Sequence, residues 1–495
     1  MASNLLSFIC GNSNHTQKII DVGKVQGTER VFTKQNLINA TEYFIEYLLA
    51  MDVKAGDNIV LIANNSFETI SIFCAIIDIG ACVNIIPIKN CLSDIRILID
   101  KILPKYIFCS HVYQQHEALL NYYFGKTLIY DSKSISNITG PRIISKDIHR
   151  TITPDAPVSV LFSSGTTNKP KGVVLPFKAF TNNSKQIGKH IKLSYDDKYL
   201  AVLPFSFIAG QITSIFAPLH FGSDVVICDS QNITKILGVI NKYCITKTNI
   251  VPTLLYQALK LDSPEKYNVS SLKFVLSGGS ECGPKLISEI RNRFGIKIIE
   301  GYGSTETGCG NCINDVDSPV EGSVGKLLPG HQIRFVVDKD NDKCIAIQSD
   351  SMMLRYYDNS NPLEDGWLIT SDIGYLDEQN NLFIVGRKDD IIKCKGEKVY
   401  LTDIKKILLN HSSVHNAVVM GVDDEEYSKI PVAFVQFNED IGENRKKEFL
   451  RWLNRRFNRV SKPDVMFVDE FPTTHSEKID IQTLKRKYLN FRKGW

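Results

Sequence analysis

The sequence predicts an α/β protein with a large N-terminal domain and a smaller C-terminal domain. Short apolar runs alternate with helical patterns over residues 33–135, and the same alternation returns between 232 and 294. Such alternation indicates layered α/β subdomains, each a parallel sheet covered by helices. From about Gly322 the pattern changes to short alternating strands, which predicts a small β-rich module or barrel. A chain of 495 residues is also too long for a single core.

The first half begins with a helix that Thr33 can cap and that runs to about Ala50. The elements predicted next are a strand at 58–62, a helix at 66–79, and extended segments at 82–87, 106–109, 128–130, 158–162 and 173–175. The second half is predicted to contain a helix at 232–242, strands at 249–251 and 274–276, a helix at 284–294, and β-module strands at 332–337, 343–348 and 382–385. These lengths and compositions are typical of buried parallel strands and their crossover helices.

A domain boundary is predicted at Lys388-Asp389, which gives an N-terminal domain of residues 1–387 and a C-terminal domain of 388–495. The C-terminal part holds 21 Lys and Arg against 17 Asp and Glu, which accounts for the whole net charge of +4. Phe449, Leu453 and Phe457 recur at helical spacing there, so we expect an amphipathic helix with a basic outer face. That face is either solvated or a dock for an anionic partner. The excess is too small, and too poor in interleaved aromatics, to indicate a nucleic-acid site.

Nothing in the sequence predicts export or a membrane span. Residues 1–18 lack a basic n-region, and the twelve cysteines are scattered without an even framework. This cysteine usage is typical of reduced thiols in a cytoplasmic protein. The one long uncharged stretch, 201–223, is interrupted by prolines, glycine and polar residues, so a buried strand and helix are expected there instead of a transmembrane segment.

The stretch from Ser163 to Gly172 contains most of the chemical information. Two buried strands flank it, and between them stand hydroxyl side chains, glycines and lysines. Backbone N–H groups, hydroxyls and a cation together suit a polyphosphate. The spacing from Gly165 to Gly172 differs from that of the common P-loop. From residue types alone, a polar surface turn remains the alternative.

Two further strands run into glycine turns, at 276–280 and 301–308. Together they supply flat glycine surfaces, a tyrosine for an adenine ring, a hydroxyl for a phosphate, and a carboxylate for Mg²⁺. Asp372 is predicted at a strand end, where it can accept two ribose hydroxyls or cap a turn. Lys478 is predicted in a loop near the C-terminus.

In this order and at these spacings, the motifs resemble those of the acyl-adenylate-forming superfamily, which includes acyl-CoA synthetases, peptide-synthetase adenylation domains and beetle luciferases. The resemblance runs from about residue 30 to the end. It implies a large N-terminal domain of two layered α/β subdomains plus a small β barrel, and a mobile smaller C-terminal domain. It also implies ATP and Mg²⁺ as cofactors, with coenzyme A as co-substrate.

The resemblance assigns a role to individual residues. The phosphate loop would comprise Ser163, Ser164, Gly165, Thr166, Thr167 and Lys171. The adenosine would be held by Gly279, Ser280, Tyr302, Asp372 and Arg387. Thr305 would contact the α-phosphate, Glu306 the magnesium, and Lys478 the reacting groups of the first half-reaction. Asp389 would be the hinge of the small domain, and Lys393 and Gly396 would serve the second half-reaction.

The stretch 203–210 bears on the substrate. Phe207 resembles the pocket aromatic of acyl- and aryl-CoA synthetases, whereas the aspartate with which amino-acid-activating domains hold an ammonium group is missing here. Phe207, Gly303, Gly308 and Cys309 would border an apolar acyl pocket. Cys309 and Cys312 form a CxxC pair, but a zinc site needs two more ligands. A redox role and incidental pocket thiols both remain open.

The predicted function is ATP-dependent activation of a fatty or aryl acid to an acyl-adenylate, followed by transfer to coenzyme A. One alternative is the same adenylation with transfer to the phosphopantetheine of an acyl or peptidyl carrier protein. Another is a nucleotide-binding homologue that has lost turnover. The latter stays open because Ser371, Leu401, Asp403 and Glu477 depart from the usual pattern of the superfamily.

Overall fold

The computed structural model describes residues 4–10, 17–22, 29–88, 90–111, 113, 116–130, 151–163, 171–337, 342–395, 397–424, 426–438, 442–457, 461–473 and 479–493. The α-helices are α1 (Leu5–Cys10), α2 (Lys34–Ala50), α3 (Phe67–Asp78), α4 (Leu92–Ile102), α5 (His116–Tyr122), α6 (Phe177–His190), α7 (Ile208–Gln211), α8 (Ala217–His220), α9 (Ile233–Tyr243), α10 (Pro252–Leu259), α11 (Gly283–Phe294), α12 (Leu401–Leu409), α13 (Gly442–Asn454) and α14 (Ile481–Lys493). One π-helical turn, Ile212–Phe216, joins α7 to α8, and 3₁₀ turns span Pro264–Lys266 and Lys388–Asp390.

The first strands are β1 (Lys18–Asp21), β2 (Arg30–Thr33), β3 (Asn58–Ala63), β4 (Cys82–Pro87), β5 (Tyr106–Ser110), β6 (Thr127–Tyr130), β7 (Pro157–Ser163), β8 (Lys171–Pro176), β9 (Lys198–Ala201), β10 (Asp224–Ile227), β11 (Lys247–Asn249), β12 (Phe274–Gly278) and β13 (Ile298–Ser304). The rest are β14 (Cys309–Ile313), β15 (Lys326–Leu327), β16 (His331–Val337), β17 (Lys343–Ser349), β18 (Arg355–Tyr356), β19 (Leu363–Glu364), β20 (Trp367–Leu376), β21 (Leu382–Arg387), β22 (Ile391–Cys394), β23 (Glu397–Tyr400), β24 (Val414–Asp424), β25 (Ser428–Phe437) and β26 (Asp464–Phe467).

The chain divides into two compact units. The first comprises residues 1–333, 347–368 and 377–382, and the second comprises 334–346, 369–376 and 383–495. The boundary that the sequence analysis places between domains 1–387 and 388–495 stays a prediction.

The first unit contains two large sheets. A nine-stranded sheet has the order β15-β14-β13-β12-β11-β9-β10-β1-β2, and a seven-stranded sheet has the order β18-β8-β7-β4-β3-β5-β6. Their central strands pair in parallel, whereas the β13–β14 and β7–β8 pairs are antiparallel hairpins. The two sheets are therefore the two predicted α/β halves.

Both faces of the nine-stranded sheet are buried. Along β9, Tyr199 points into the larger core cluster while Leu200 points into the cluster beneath α9 to α11. The same alternation holds along β13, where Ile299 faces the larger cluster and Ile298 the other. Strands covered by helices on both faces read as continuous apolar runs, which is why they could be predicted from the sequence.

The remaining strands form two smaller sheets. The β module predicted after Gly322 contains a five-stranded sheet of order β16-β17-β20-β19, with β21 pairing β20. In the second unit a sheet of order β23-β22-β25-β24, with β26 beside β25, packs its apolar face on α12 and α13. None of the helices in the described ranges is long and apolar enough to cross a membrane.

Most predicted elements are confirmed to within two residues. Thr33 caps α2 through a reciprocal pair of hydrogen bonds with Asn36. Three predictions need correction. The strand expected at 249–251 is β11 and ends at Asn249, because Pro252 starts a helix. The basic amphipathic helix α13 ends at Asn454, so Phe457 lies beyond it. Asp372 lies inside β20 and not at a strand end.

A fully buried carboxylate anchors the N-terminal helix. Asp78, at the end of α3, accepts the backbone N–H groups of Leu5 at 2.7 Å and Leu6 at 3.1 Å. Burial raises the pKa of Asp78 from 3.8 to about 7, because these two hydrogen bonds offset only part of the desolvation. Burial raises the pKa of the nearby Cys10 and Cys74 thiols, and the Asp78 carboxylate raises both further.

The raised pKa of Asp78 makes a testable prediction about stability and pH. The folded protein binds this proton more tightly than the unfolded chain, so the contribution of Asp78 to stability is greatest below about pH 4 and falls as the pH rises to about 7. Asp78→Asn should remove this dependence, which amounts to roughly 2–4 kcal/mol. The measurement is urea unfolding of both proteins from pH 4 to 8, with the exposed Asp196→Asn as the control. Parallel pH profiles for wild type and Asp78→Asn would contradict the prediction.

Candidate active site

The far end of the predicted phosphate loop is the start of β8. Residues 164–170 and the side chain of Ser163 lie outside the described residues, so Ser164, Gly165, Thr166 and Thr167 keep their predicted roles untested. Lys171 is exposed at the first position of β8. A Cβ at Gly172 would stand 2.9 Å from the Cβ of Tyr357 and 3.0 Å from the Phe162 ring. Glycine there lets the segment after Leu354 lie close against β8.

A glycine turn ends β12 beside β13. Gly278 pairs with Gly301 across the two parallel strands, and a Cβ at Gly278 would stand 2.7 Å from the carbonyl oxygen of Gly301. Gly279 follows with φ +79°, a backbone conformation that favours glycine, and Ser280 is exposed next to it. The turn is therefore flat and accessible, as the predicted adenine contact requires.

The hairpin between β13 and β14 carries most of the predicted site residues. A Cβ at Gly303 would lie 1.7 Å from the carbonyl oxygen of Cys309, so only glycine fits there. The register shifts after Tyr302, and Gly303 pairs with Gly310, which leaves Asn311 as an extra residue in β14. Cys309 itself has φ +137°, a strained value for a residue with a side chain.

Hydrogen bonds inside the hairpin loop fix its shape. The Ser304 N–H donates to Thr307 Oγ1 at 3.2 Å, and the Thr307 N–H donates to Ser304 Oγ at 3.3 Å. Asn311 Nδ2 also donates to Thr307 Oγ1, at 2.9 Å. From outside, Asn183 of α6 donates to the carbonyl oxygen of Gly308 at 2.9 Å. These bonds hold the loop that presents the predicted Thr305 and Glu306.

Glu306 is oriented by a residue that the sequence analysis missed. The Tyr356 hydroxyl donates to Glu306 Oε1 at 3.3 Å, and the ammonium of Lys171 lies 5.1 Å from the centre of the Tyr356 ring. Burial first and Glu306 second raise the pKa of Tyr356 to about 12, so it remains a donor. Tyr356 reaches this place because β18 pairs with β8, where Tyr356 stands opposite Val173.

These residues fit the expected magnesium. Mg²⁺ usually takes one or two carboxylates and completes its shell with phosphate oxygens and water. Glu306 offers one half-buried, oriented carboxylate. The described residues contain no group of three or more His, Cys, Asp or Glu side chains that could hold a metal ion by themselves. Glu306 would therefore share the ion with the nucleotide.

Glu300 is a second carboxylate that the sequence analysis did not single out. It lies on β13 on the same face as Tyr302 and is half-buried next to Cys282 at the start of α11. Burial raises the pKa of Glu300 to about 7, although the Cys282 backbone N–H opposes the rise. The sequence did contain a signal for this site, because Glu300 is a charged residue that follows two isoleucines in a strand and directly precedes Gly301-Tyr302.

The predicted acyl pocket residues all belong to the first unit, where α7 contacts β14. Phe207 is half-buried directly before α7, and a Cβ at Gly210 would stand 2.2 Å from the carbonyl oxygen of Pro204. Gly308 has φ +80°, and a Cβ there would stand 2.3 Å from the carbonyl oxygen of Ser351. Cys309 is buried, and burial raises its pKa to about 12, which makes it a poor nucleophile.

The second unit holds a separate group of predicted residues. Asp372 Oδ1 lies 3.6 Å from Arg387 Nε, and Arg387 Nη2 lies 3.7 Å from Asp389 Oδ2. The backbone N–H of Asp372 donates to Thr370 Oγ1, which itself donates to the carbonyl oxygen of Ile345. The predicted ribose contacts and the predicted hinge residue are therefore neighbours in one short ion-pair chain.

The remaining predicted catalytic residues are less defined. Lys393 is exposed on β22. Gly396, Glu477 and Lys478 lie outside the described residues. Of the departures from the superfamily pattern, Leu401 is buried in the core at the first position of α12, and Asp403 is exposed in the first turn of the same helix. Neither residue replaces a group that touches the sites described above.

Family models match most of the chain. The profile of the AMP-binding enzyme family matches residues 14–357, and that of the AMP-binding enzyme C-terminal domain matches 403–478. A 4-coumarate–CoA ligase of Nicotiana tabacum is 31% identical over 68% of this chain and 66% of its own length. A 2-succinylbenzoate–CoA ligase of Bacillus pumilus is 27% identical over 93% of this chain and 94% of its own length.

Solved structures show the same fold. The ATP-bound RpMatB–BxBclM chimera B3 superposes with a TM-score of 0.88 at 20% identity, over 99% of this chain and all of that one. An O-succinylbenzoate coenzyme A synthetase of Bacillus subtilis, in complex with AMP, gives 0.79 at 22% identity over 98% of each chain. The predicted α/β fold, with a large N-terminal and a small C-terminal domain, is confirmed.

Gly303 provides a sharp test of the hairpin. Gly303→Ala places a methyl group against the Cys309 carbonyl, so the strand pair must separate, at a cost of about 1–3 kcal/mol or more. We expect ATP affinity, measured by calorimetry, to fall at least about tenfold as Tyr302 and Glu306 move. Gly238→Ala, in open space on α9, is the matched control and should leave ATP binding unchanged while stabilising the helix slightly. Wild-type ATP affinity in Gly303→Ala would contradict this account.

Proposed function

Because this chain belongs to the AMP-binding enzyme family, we propose that it joins a carboxylic acid to the thiol of coenzyme A through an acyl-adenylate. Membership confirms the resemblance to the acyl-adenylate-forming superfamily that the sequence motifs suggested. The observation that carries the proposal is the grouping of Lys171, Tyr356 and Glu306 beside the Gly303–Cys309 hairpin. A cation, a hydroxyl and a carboxylate meet there, as a magnesium nucleotide requires.

The first half-reaction makes the acid reactive. A carboxylate oxygen of the substrate attacks the α-phosphorus of ATP, the bond to the β-phosphate oxygen breaks, and pyrophosphate leaves. Lys171 would hold the phosphates, Thr305 the α-phosphate, and Lys478 would bridge the two anions that must approach each other. Mg²⁺ at Glu306 would neutralise phosphate charge. In the second unit, Asp372 and Arg387 are proposed to hold the ribose.

The second half-reaction transfers the acyl group. The thiol sulfur attacks the acyl carbon, the bond to the AMP oxygen breaks, and the thiol proton passes to solvent. Lys393, exposed on β22, and Gly396 are proposed to serve this step after the C-terminal domain rotates about Asp389. This rotation would leave the nucleotide-binding residues of the N-terminal domain unchanged and would bring Lys393 and Gly396 into use in place of Lys478.

The substrate class is proposed as an aryl acid. The two relatives described above, from Nicotiana tabacum and Bacillus pumilus, are CoA ligases named for 4-coumarate and 2-succinylbenzoate. Phe207 is half-buried directly before α7, and an aromatic side chain there suits contact with the flat ring of an aryl acid. Transfer to a carrier protein has no observation of its own in its favour. An inactive homologue is disfavoured because the sequence retains Lys478, Glu306 and Asp372.

The decisive experiment is carboxylate-dependent exchange of labelled pyrophosphate into ATP, with Mg²⁺ and without a thiol, over a panel of aryl, fatty and amino acids. We expect exchange with aryl acids, followed by thioester formation when coenzyme A is added. Exchange with aryl acids but transfer only to a carrier protein would overturn the acceptor. Exchange with amino acids alone would overturn the substrate class.

The roles of Glu306 and Tyr356 can be distinguished by how a substitution of each residue changes the Mg²⁺ dependence of pyrophosphate exchange. Glu306→Gln keeps the shape but loses the charge, so we expect exchange to fall by about two orders of magnitude and half-saturation to need more Mg²⁺. Tyr356→Phe removes only the orienting hydroxyl, so it should lower the rate of pyrophosphate exchange about three- to tenfold. Wild-type Mg²⁺ dependence in Glu306→Gln would refute its role.

Lys478 and Lys393 are predicted to act in different half-reactions. Lys478→Ala should reduce pyrophosphate exchange by about 100-fold or more, because the bridging cation is lost. Lys393→Ala should leave exchange intact but slow thioester formation from preformed adenylate. Lys266→Ala, at an exposed position, serves as the control for loss of a surface charge. Near-normal exchange in Lys478→Ala would show that another group holds the two anions.

A further inference from the structure

A short segment of the first unit, residues 202–207, runs from the end of β9 to the start of α7, outside both elements. We call it the connecting segment. Leu203 and Phe205 are buried in it, and Phe207, the aromatic residue predicted in the acyl pocket, is its last residue. Buried backbone N–H and C=O groups outside helices and strands need partners from elsewhere, usually from side chains. The groups that supply these partners therefore fix the place of Phe207.

One side-chain amide from the other large sheet supplies two of these partners. Asn65 lies in the turn between β3 and α3 and is only 6% exposed. Its Nδ2 donates to the Leu203 carbonyl oxygen at 2.8 Å, and its Oδ1 accepts the Phe205 N–H at 2.8 Å. An amide can do both because it carries a donor and an acceptor side by side. Asn65 thus joins the two α/β halves of the first unit at the connecting segment.

The turn that carries Asn65 is itself fixed by hydrogen bonds. Ser66 caps α3 by accepting the Thr69 N–H at 3.2 Å. Thr69 Oγ1 donates to the Asn64 carbonyl oxygen at 2.8 Å. These bonds hold the residues on both sides of Asn65, so its amide is a fixed reference to which the connecting segment is attached.

Further contacts hold the middle of the connecting segment. Gln211 of α7 is fully buried, and its Nε2 donates to the Phe205 carbonyl oxygen at 2.7 Å. Both backbone hydrogen-bonding groups of Phe205 are therefore bound by side-chain amides. The Phe205 ring packs between Phe73 of α3 and Phe216 of the π-helical turn, with ring centroids 5.3 and 5.9 Å away. Of these contacts, only the hydrogen bonds from Asn65 bind the backbone of the segment to the neighbouring sheet.

We propose that Asn65 is a positioning residue for the carboxylic acid, and that it acts by setting the place of Phe207. The Phe207 N–H donates to the Pro204 carbonyl oxygen at 3.1 Å, inside the stretch that Asn65 holds. Without Asn65, a buried C=O and a buried N–H would lose their partners, so the segment would shift to find others. A small shift of a residue that borders a substrate is enough to weaken its binding. The proposal rests on the proposed function, since that function places the acid beside Phe207.

The first test is Asn65→Leu, which nearly keeps the shape of the side chain but removes both hydrogen bonds. In pyrophosphate exchange, we expect KM for the acid to rise at least about tenfold, because Phe207 is displaced. KM for ATP should stay within about twofold of the wild-type value, because Gly279 and Glu306 are held by other contacts. A merely structural role would lower kcat through loss of folded enzyme and leave both KM values unchanged.

Asn314→Leu is the matched control. Asn314 is 3% exposed, its Nδ2 donates to the carbonyl oxygens of Val320 at 2.8 Å and Ser323 at 2.9 Å, and its Oδ1 accepts the Val320 N–H at 2.9 Å. This variant loses equivalent bonds elsewhere in the first unit, so KM for the acid should stay at the wild-type value.

Asn65→Ala keeps the test open if Asn65→Leu does not fold, because it leaves room for water to replace part of the lost bonds. It should show the same separation of the two KM values. An unchanged KM for the acid in a folded Asn65 variant, or KM values for acid and ATP that rise together, would overturn the proposal.

Fluorine NMR keeps this test separate from that of the proposed function. The enzyme is labelled with 4-fluorophenylalanine, and the Phe207 resonance is assigned by its loss in Phe207→Leu. Without any substrate, this resonance should shift in the folded Asn65 variants but not in Asn314→Leu. If no acid supports pyrophosphate exchange, the proposed function fails, but a shifted Phe207 resonance would still support the positioning by Asn65. An unshifted resonance would overturn the inference whatever the exchange assay gives.

Discussion

The contact on which the first-unit site depends is the approach of β13 to β14 at Gly303. A Cβ there would overlap the Cys309 carbonyl oxygen, so the two strands can meet only where one has no side chain. That approach forces the extra residue into β14 and the unusual backbone of Cys309. The strain is offset by the hydrogen bonds from Asn311 and Asn183, which fix the loop between the strands. Tyr302, Thr305 and Glu306 are therefore displayed by a rigid turn.

The hairpin that this contact holds presents the charged groups of the candidate site. Glu306 accepts a hydrogen bond from Tyr356, and the Lys171 ammonium lies over the Tyr356 ring, so a carboxylate, a hydroxyl and a cation lie together as a magnesium nucleotide requires. Cys309, at the other end of the same loop, is buried, and burial raises the pKa of its thiol to about 12. One short hairpin therefore carries both a charged and an apolar side chain, as a reaction that joins a nucleotide to a largely apolar acid needs.

How much the sequence could predict depended on whether a feature is local. The strand-turn signals around Gly279 and Gly303 predicted the glycine surfaces, and Thr33 predicted the start of α2. Tyr356 was not predicted, because its place beside Glu306 depends on the pairing of β18 with β8, which lie far apart along the chain. Asp372 was misplaced because β20 continues to Leu376, past Gly374, where only a glycine can lie so close to the Phe383 carbonyl oxygen of the neighbouring strand.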